Sequence, residues 1–510
     1  MSGAAKCSIR KIAELLGISK SSTQRHMVAI KKRALYPESP LWETKEGYYW
    51  LRLLYFGAIA FFVVHCGIGA EKLSTFFAFL RLNERIATSP SKIKEVAEQI
   101  CDLLEAYRQE QEKKHQVDEP LKIVGGIDET YFKEMILVLM DLSSGYIFLE
   151  EASEDKSYET WLDKVKKVAD RFNVEFKYFV SDRAKQLIKL ATQGFNSSSI
   201  PDLFHASHEL VKLFGINLKR KKAEIEKKLS IELTKIALLN ELSKDINSSR
   251  KVVKELEMQL VKIDKGISTY HDILHQLSIV LHPFDIKDSS TVTSVAIETL
   301  LYNILLQAEE LKEEHEIPNK KDHLKKFKKQ IQGMASLIDT WWIWVNEYLQ
   351  NPDLDENLKF WVKQYLLPLL YWEKQAERTK NPDLKEDYQY AADKAQAAFD
   401  NHPISQEYME NEDIVSWAKW MISNFQRTSS AVEGRNGWLS QMHHTGRGIP
   451  PKRLKAQTVL HNFYLKRDDA TTAAERLFRH KFPDPLEWVV ERMGDLPLPR
   501  RSNSMCDGTS

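Results

Sequence analysis

Two aspartates and one glutamate have the residue types and placement that metal-assisted chemistry needs. Asp128 closes a strand-like run in GGIDETYF, Asp182 closes another in YFVSDRAK, and Glu433 lies in SSAVEGRNGWL on what reads as a helix. Hard divalent cations take oxygen ligands, so this carboxylate set suits Mg²⁺ or Mn²⁺. Two such ions about 3.5–4 Å apart activate the attacking oxygen and stabilise the leaving oxygen of an in-line displacement at phosphorus. No Ser–His–Asp or reactive-cysteine pattern offers a protein nucleophile instead. Taken singly, each aspartate reads as a turn former or helix cap and the glutamate as a surface residue. Their joint placement is what argues for a site. His205, read at the end of a fifth strand in PDLFHASHEL, either orients a metal-bound water or a phosphate or is a structural histidine. His208 follows three residues on, but a His-x-x-His pair without further ligands does not make a zinc site.

The elements that must position these groups can be read along the chain. LKIVGGID, EMILVLMD and YIFLEEA are short strand-like runs, the last two separated by the turn sequence LSSG. A helix follows over YETWLDKVKKVADRF, then the strand EFKYFVSD, the helix RAKQLIKLATQG and a short strand ending at PDLFH. Three hairpin-linked strands followed by helix–strand–helix–strand is the order of a ribonuclease-H-like α/β core, with a mixed sheet of three antiparallel and then parallel strands. In that order the first and fourth strands are neighbours, which brings Asp128 and Asp182 together. From about residue 209 the chain reads as helical for some two hundred residues. There Val253, Leu256, Leu260, Ile263, Ile267, Tyr270, Leu274, Leu277 and Leu281 form a heptad seam. An intramolecular helical hairpin is expected from it in preference to a dimerisation coil. DTWWIWVNEYL and WVKQYLLPLLYWE read as core helices, their tryptophans as packing.

With 510 residues, 43% apolar and 28% charged, the chain is an ordinary globular protein of two to four domains. A net charge of only +1 gives no overall nucleic-acid signature. Local patches do: residues 6–33 are strongly basic, KRKKAEIEKK spans 219–228, and a third set runs from Arg427 to Arg467. Residues 8–33 read as a helix-turn-helix, broken at Gly17, with Ser19 as the second N-cap. Its second helix offers Ser21, Ser22, Gln24, Arg25, Lys31 and Lys32 to DNA. Little chain precedes Ile9 to supply the helix that commonly buttresses such a pair. Four scattered cysteines, no leader-like apolar segment and no disulfide framework point to a reducing cytoplasm. The uncharged run 53–70 is expected to be a buried helix ending in a Gly-x-Gly turn, not a membrane span.

GGIDETYF, VSDRAKQLIKLA, PDLFHASHELVK and SSAVEGRNG, in this order, resemble the DDE-type insertion-sequence transposases of bacteria. The similarity is to the group with a large all-helical insertion before the final catalytic helix, and it extends to HNFYL at 461–465 and FPDPLEW at 482–488. The resemblance implies that Asp128, Asp182 and Glu433 are the metal-binding triad for two Mg²⁺ or Mn²⁺ ions, with His205 auxiliary. It also implies that Arg435 and Asn436 lie beside them, against DNA. The partners would be the element's terminal inverted repeats and its target DNA. Pairing two ends calls for a homodimer or larger assembly, at the cytoplasmic nucleoid and away from membranes. The segments expected are a helix-turn-helix at 1–35, a helical region at 36–118, the first part of the core at 119–214, and the all-helical insertion at 215–412. The catalytic helix and end of the core follow at 413–465, then a tail at 466–510. Two rivals share features with this reading: another ribonuclease-H-like DNA nuclease, and a transposase-derived DNA-binding regulator without catalysis.

Overall fold

The computed structural model describes residues 8–35, 39–115, 119–403, 405–446 and 448–499. Two compact units are present: residues 1–115 with 441–510, and residues 116–440.

In the first unit, α1 (Ile9–Leu16) and α2 (Lys20–Leu35) form the expected pair. Ser8 caps α1 through its side chain, and Gly17 ends it at φ 64°, a left-handed conformation that glycine adopts without strain. Ser19 Oγ accepts from Ser22 N at 3.1 Å, capping α2 as its position suggests. Thr23, 1% exposed, and Ala13 are buried, whereas Leu15 and Leu16 of α1 stay exposed. The apolar run forms a helix, Lys45–Ala58, that continues as a wider π-helical stretch, Ile59–His65. By length and composition it is the one helix among the described residues that could cross a membrane, and 44% of its apolar window is buried. Its last carbonyls are not left bare: Arg453 Nε donates to Val64 O at 2.9 Å, and Gln457 Nε2 donates to both Val64 O and His65 O. Both donors lie on the helix Pro451–Phe463, which also packs on α3 (Pro90–Lys114).

The second unit holds a five-stranded mixed sheet. Its strands are β1 (Leu121–Tyr131), β2 (Met135–Asp141), β3 (Ile147–Ser153), β4 (Val174–Ser181) and β5 (Ser198–Pro201), in the order β3-β2-β1-β4-β5. Pairings β1–β2 and β2–β3 are antiparallel, and β1–β4 and β4–β5 are parallel. The hairpin between β2 and β3 turns on the buried Asp141, whose Oδ2 accepts from Ser144 N at 2.8 Å and from Ser144 Oγ at 2.6 Å. The crossover to β4 is α4 (Tyr158–Phe172), capped by Ser157 and buried through Trp161, Val165, Val168 and Phe172.

Beyond β5 the unit is helical. The chain enters α5 (Leu203–Glu241), reverses, and returns as α6 (Asn247–Val280), packed on α5. Leu256, Ile263, Tyr270, Leu277 and Leu281 of the heptad seam are buried and Val253, Leu260, Ile267 and Leu274 half-buried, with α6 packed on α5 and on the helix Ser294–Glu314. No break separates the core from the insertion at residue 215, because α5 runs straight through it. The Trp-rich segment is α7 (Ile331–Leu349), with Trp341 and Trp344 buried; Trp361, Tyr371 and Trp372 are buried in the following helices. The unit closes through α8 (Ser430–Gly446), which carries Glu433.

Candidate active site

One glycine on β1, Gly126, admits α8 to the sheet. A Cβ at Gly126 would come within 2.8 Å of Val432 Cγ2 and 2.4 Å of Leu142 Cδ2, so only glycine lets this backbone meet the helix so closely. Val432 precedes Glu433, and Gly126 lies two residues before Asp128; the close approach therefore sets both carboxylates at one place.

Asp128 is not the last residue of its strand, as the sequence suggested. β1 continues to Tyr131 because β2 keeps pairing with it, Asp128 opposite Val138. Pairing with β4 stops earlier, at Gly126 opposite Val180. Continuing that register by two residues sets Asp128 level with Asp182, just past the end of β4. Asp128 is mostly buried, and its carboxyl is pushed up to about 7, first by burial and then by the Glu433 carboxylate, with Asp182 adding a smaller repulsion. A backbone hydrogen bond from Glu129 opposes the rise.

Asp182 itself is exposed, and Oδ1 accepts from Ala184 N at 2.9 Å. It thus forms the ordinary Asx-type turn, with Arg183 in the left-handed region at φ 62°. Such strain in a residue with a side chain persists only where its surroundings enforce it. Here the guanidinium rests against Gly333, where a Cβ would be 2.3 Å from Arg183 Nη1. Asp182 Oδ2 makes no hydrogen bond among the described residues.

His205 is not on a strand: β5 ends at Pro201 and His205 lies in the first turn of α5. The reason is Asp202, fully buried, whose Oδ1 accepts from Phe204 N at 2.8 Å and so starts the helix. Asp202 Oδ2 accepts from Ser429 Oγ at 2.5 Å and from His205 Nδ1 at 3.1 Å. With Nδ1 held, Nε2 faces Glu433 Oε1 at 3.5 Å. The Asp202 hydrogen bond raises the His205 pKa above its usual value against an opposing burial effect, with the charges of Asp202, Glu433 and Asp128 adding to the rise.

The two residues after Glu433 and Gly434 are turned inward. Arg435, 5% exposed, gives Nε and Nη2 to the two oxygens of Glu150 on β3 at 2.7 and 2.6 Å, and stacks 4.3 Å from the Trp438 ring. Asn436 Nδ2 donates to Asp128 Oδ2 at 2.7 Å. Both side chains, expected against DNA, are buried here, because α8 uses them to bind the sheet. The segment leading into α8 is fixed as well. Tyr178 of β4 donates to Asn424 O at 2.6 Å and accepts from Gln426 N at 2.8 Å. Arg427 donates to Ser278 O at 3.0 Å and Leu281 O at 3.2 Å of the helical region, and its carbonyl accepts from Leu203 N at 3.0 Å.

Asp202, Ser429 and Glu150 were not singled out from the sequence, and Arg427, read there as part of a basic patch, instead holds the helical region. Pro-Asp ahead of a helical run is an N-cap signal, and a glutamate inside the otherwise apolar run YIFLEEA signals a buried cation partner. The basic patches also thin out: Lys222 pairs with Asp264 at 2.7 Å, Lys221 donates to His315 O, and Arg427, Arg435 and Arg453 bind groups inside their own units. On α2, Ser21, Gln24, Arg25 and Lys31 are exposed and Ser22 half-buried; the Lys32 side chain and all of Arg447 lie outside the described residues.

Among the described residues, no three His, Cys, Asp or Glu side chains are spaced to hold one ion. The donor chemistry nonetheless fits a hard cation: Asp128, Asp182 and Glu433 offer oxygens, and Asp128 bears a repulsion that a divalent charge would relieve. Residues 362–505, which include Glu433, Arg435 and Asn436, match a family of unknown function, DUF6399. None of the curated proteins matches the chain.

Proposed function

We propose that this chain is a DDE-type DNA transposase with a ribonuclease-H-like core, cutting and joining DNA at the ends of its own element with divalent metal. The observation that carries the reading is the meeting of Asp128 and Glu433 beside the end of β4, with Asp182 next in register. Asp128, Asp182 and Glu433 would hold Mg²⁺ or Mn²⁺, which when bound activates the attacking oxygen and stabilises the leaving one. The chain's own residues do the positioning. Gly126 admits the helix, Arg435 and Asn436 fix its turn against the sheet, and Asp202 holds His205 with Nε2 toward Glu433. His205 can thereby keep a proton beside the reacting phosphate. The exposed face of α2 supplies phosphate and base contacts through Ser21, Gln24, Arg25 and Lys31.

The test is cleavage of labelled DNA spanning the boundaries of the element that encodes the protein, with Mg²⁺ or Mn²⁺, for the intact chain and Asp182→Asn. Metal-dependent nicking at the boundary that disappears in the variant is expected. Deleting residues 1–35 should then spread nicking to unrelated DNA, and unchanged selectivity would remove the helix-turn-helix from end recognition.

A second reading, a DNA-binding regulator without catalysis, draws on the exposed, turn-forming Asp182 and on the absence of a three-ligand group among the described residues. Salt-dependent binding to the same DNA with no cleavage in any divalent metal would establish it in place of the enzyme.

A further inference from the structure

We infer that Asn436 is a ligand in its own right: its Oδ1 donates to the divalent cation held by Asp128 and Glu433, which makes the site an Asp–Glu–Asn oxygen cluster. This inference rests on the metal site proposed above.

Three observations carry it. Asn436 is only 8% exposed, and its Oδ1 is buried with no hydrogen-bond partner among the described residues. With Asp128 ionised, the form that binds a cation, the amide is held this way round: Nδ2 donates to Asp128 Oδ2 at 2.7 Å, and the exchange would set a carbonyl oxygen against a carboxylate. Glu433 and Asn436 are three residues apart on α8, so both stand on one side of the helix, toward Asp128.

The helix cannot shift to relieve the orphaned oxygen. Arg435 is locked to Glu150 by two hydrogen bonds, and Val432 is seated over Gly126. A buried carbonyl oxygen without a donor is destabilising and calls for an occupant. An amide carbonyl is a hard, neutral oxygen ligand of the kind that completes Mg²⁺, Mn²⁺ and Ca²⁺ shells beside carboxylates. A water or a substrate hydroxyl would also satisfy Oδ1, but neither offsets the repulsion between Asp128 and Glu433; a cation does both.

Mn²⁺ titration of the full chain, followed by the electron paramagnetic resonance signal of the free ion, tests this with Asn436→Ala and Asn436→Asp. Circular dichroism verifies the fold of each. Even outer-shell partners of bound metals are worth about 10- to 100-fold in affinity, so Asn436→Ala should weaken Mn²⁺ binding by at least about tenfold. Asn436→Asp keeps an oxygen there and removes the Nδ2 donor; it should bind at least as tightly as the unmodified chain. If the side chain served only to position Asp128 through Nδ2, Asn436→Asp would bind as poorly as Asn436→Ala, and the inference is overturned. Unweakened binding by Asn436→Ala overturns it equally, while leaving the proposed function intact. Failure of the unmodified chain to bind Mn²⁺ removes the metal site and this inference together. Should Asn436→Ala not fold, the comparison of Asn436→Asp with the unmodified chain decides alone: tighter or equal binding supports the ligand role and weaker binding refutes it.

Discussion

Asp128→Asn is expected to make the metal-free protein more stable at pH 8 while abolishing cleavage. The Asp128 carboxyl is pushed up to about 7 by burial, then by Glu433 and Asp182, whereas in the unfolded chain it ionises near 3.9. Between those two values the folded state still holds a proton that the unfolded state has released. The contribution of this group is therefore fully present below about pH 4, falls as pH rises toward 7, and is gone above it. A gap of about three pH units corresponds to a loss on the order of 4 kcal/mol. A neutral amide at this position has no such slope, and its oxygen can still accept from Asn436 Nδ2. Urea unfolding in EDTA should show the two proteins close at pH 4 and the variant ahead by a few kcal/mol at pH 8. Equal stability at pH 8, or a deficit in the variant, would show that burial and the neighbouring carboxylates do not destabilise the Asp128 carboxylate. Mn²⁺ should reverse the order, stabilising the unmodified chain and leaving the variant unmoved. On boundary DNA the variant should cut at least about 10³-fold more slowly, a barrier increase of about 4 kcal/mol.

The residues behind that prediction were legible in the sequence to different depths. Asp128 and Asp182 could be placed because strands announce themselves by composition and length, and because the order of elements made the first and fourth strands neighbours. The α4 helix could be read to its ends, since Ser157 caps its start and Asn173, in the left-handed conformation at φ 50°, closes it. The end of β1 was misplaced because strand length here is set by β2, whose pairing outlasts that of β4, and partner length leaves no local mark. His205 was misplaced by a few residues because Asp202 serves as a helix cap, a role that looks like any loop aspartate until its donors are seen. The inward turn of Arg435 was hidden altogether. Its partner Glu150 is 285 positions away, and nothing in GRNG separates an arginine that binds phosphate from one that binds a carboxylate. Two hundred helical residues between the halves of the site further remove any local signal for the pairing of Asp202 with Ser429.

Arg435 also gives the sharpest separation between what the structure assigns and what the resemblance implied. Arg435→Ala strands the Glu150 carboxylate, whose side chain is fully buried; breaking one side of a buried ion pair costs about 3–5 kcal/mol. The loss should exceed that of a simple truncation on the same helix, since both guanidinium hydrogen bonds and the contact with Trp438 go together. The paired variant Arg435→Met with Glu150→Leu removes both charges and keeps the volume, so most of that stability should return. Cleavage should stay depressed in the paired variant, because the fork that sets the rotation of α8, and with it Glu433 and Asn436, is gone. DNA affinity is the discriminating readout. An arginine that neutralises a phosphate adds about 0.9 to the slope of log affinity against log salt. Arg435 is enclosed by Glu150 and Trp438, so the paired variant should keep the slope of the unmodified protein within error. A slope reduced by about one would mean that Arg435 leaves Glu150 for the DNA backbone, and that α8 rotates when DNA binds.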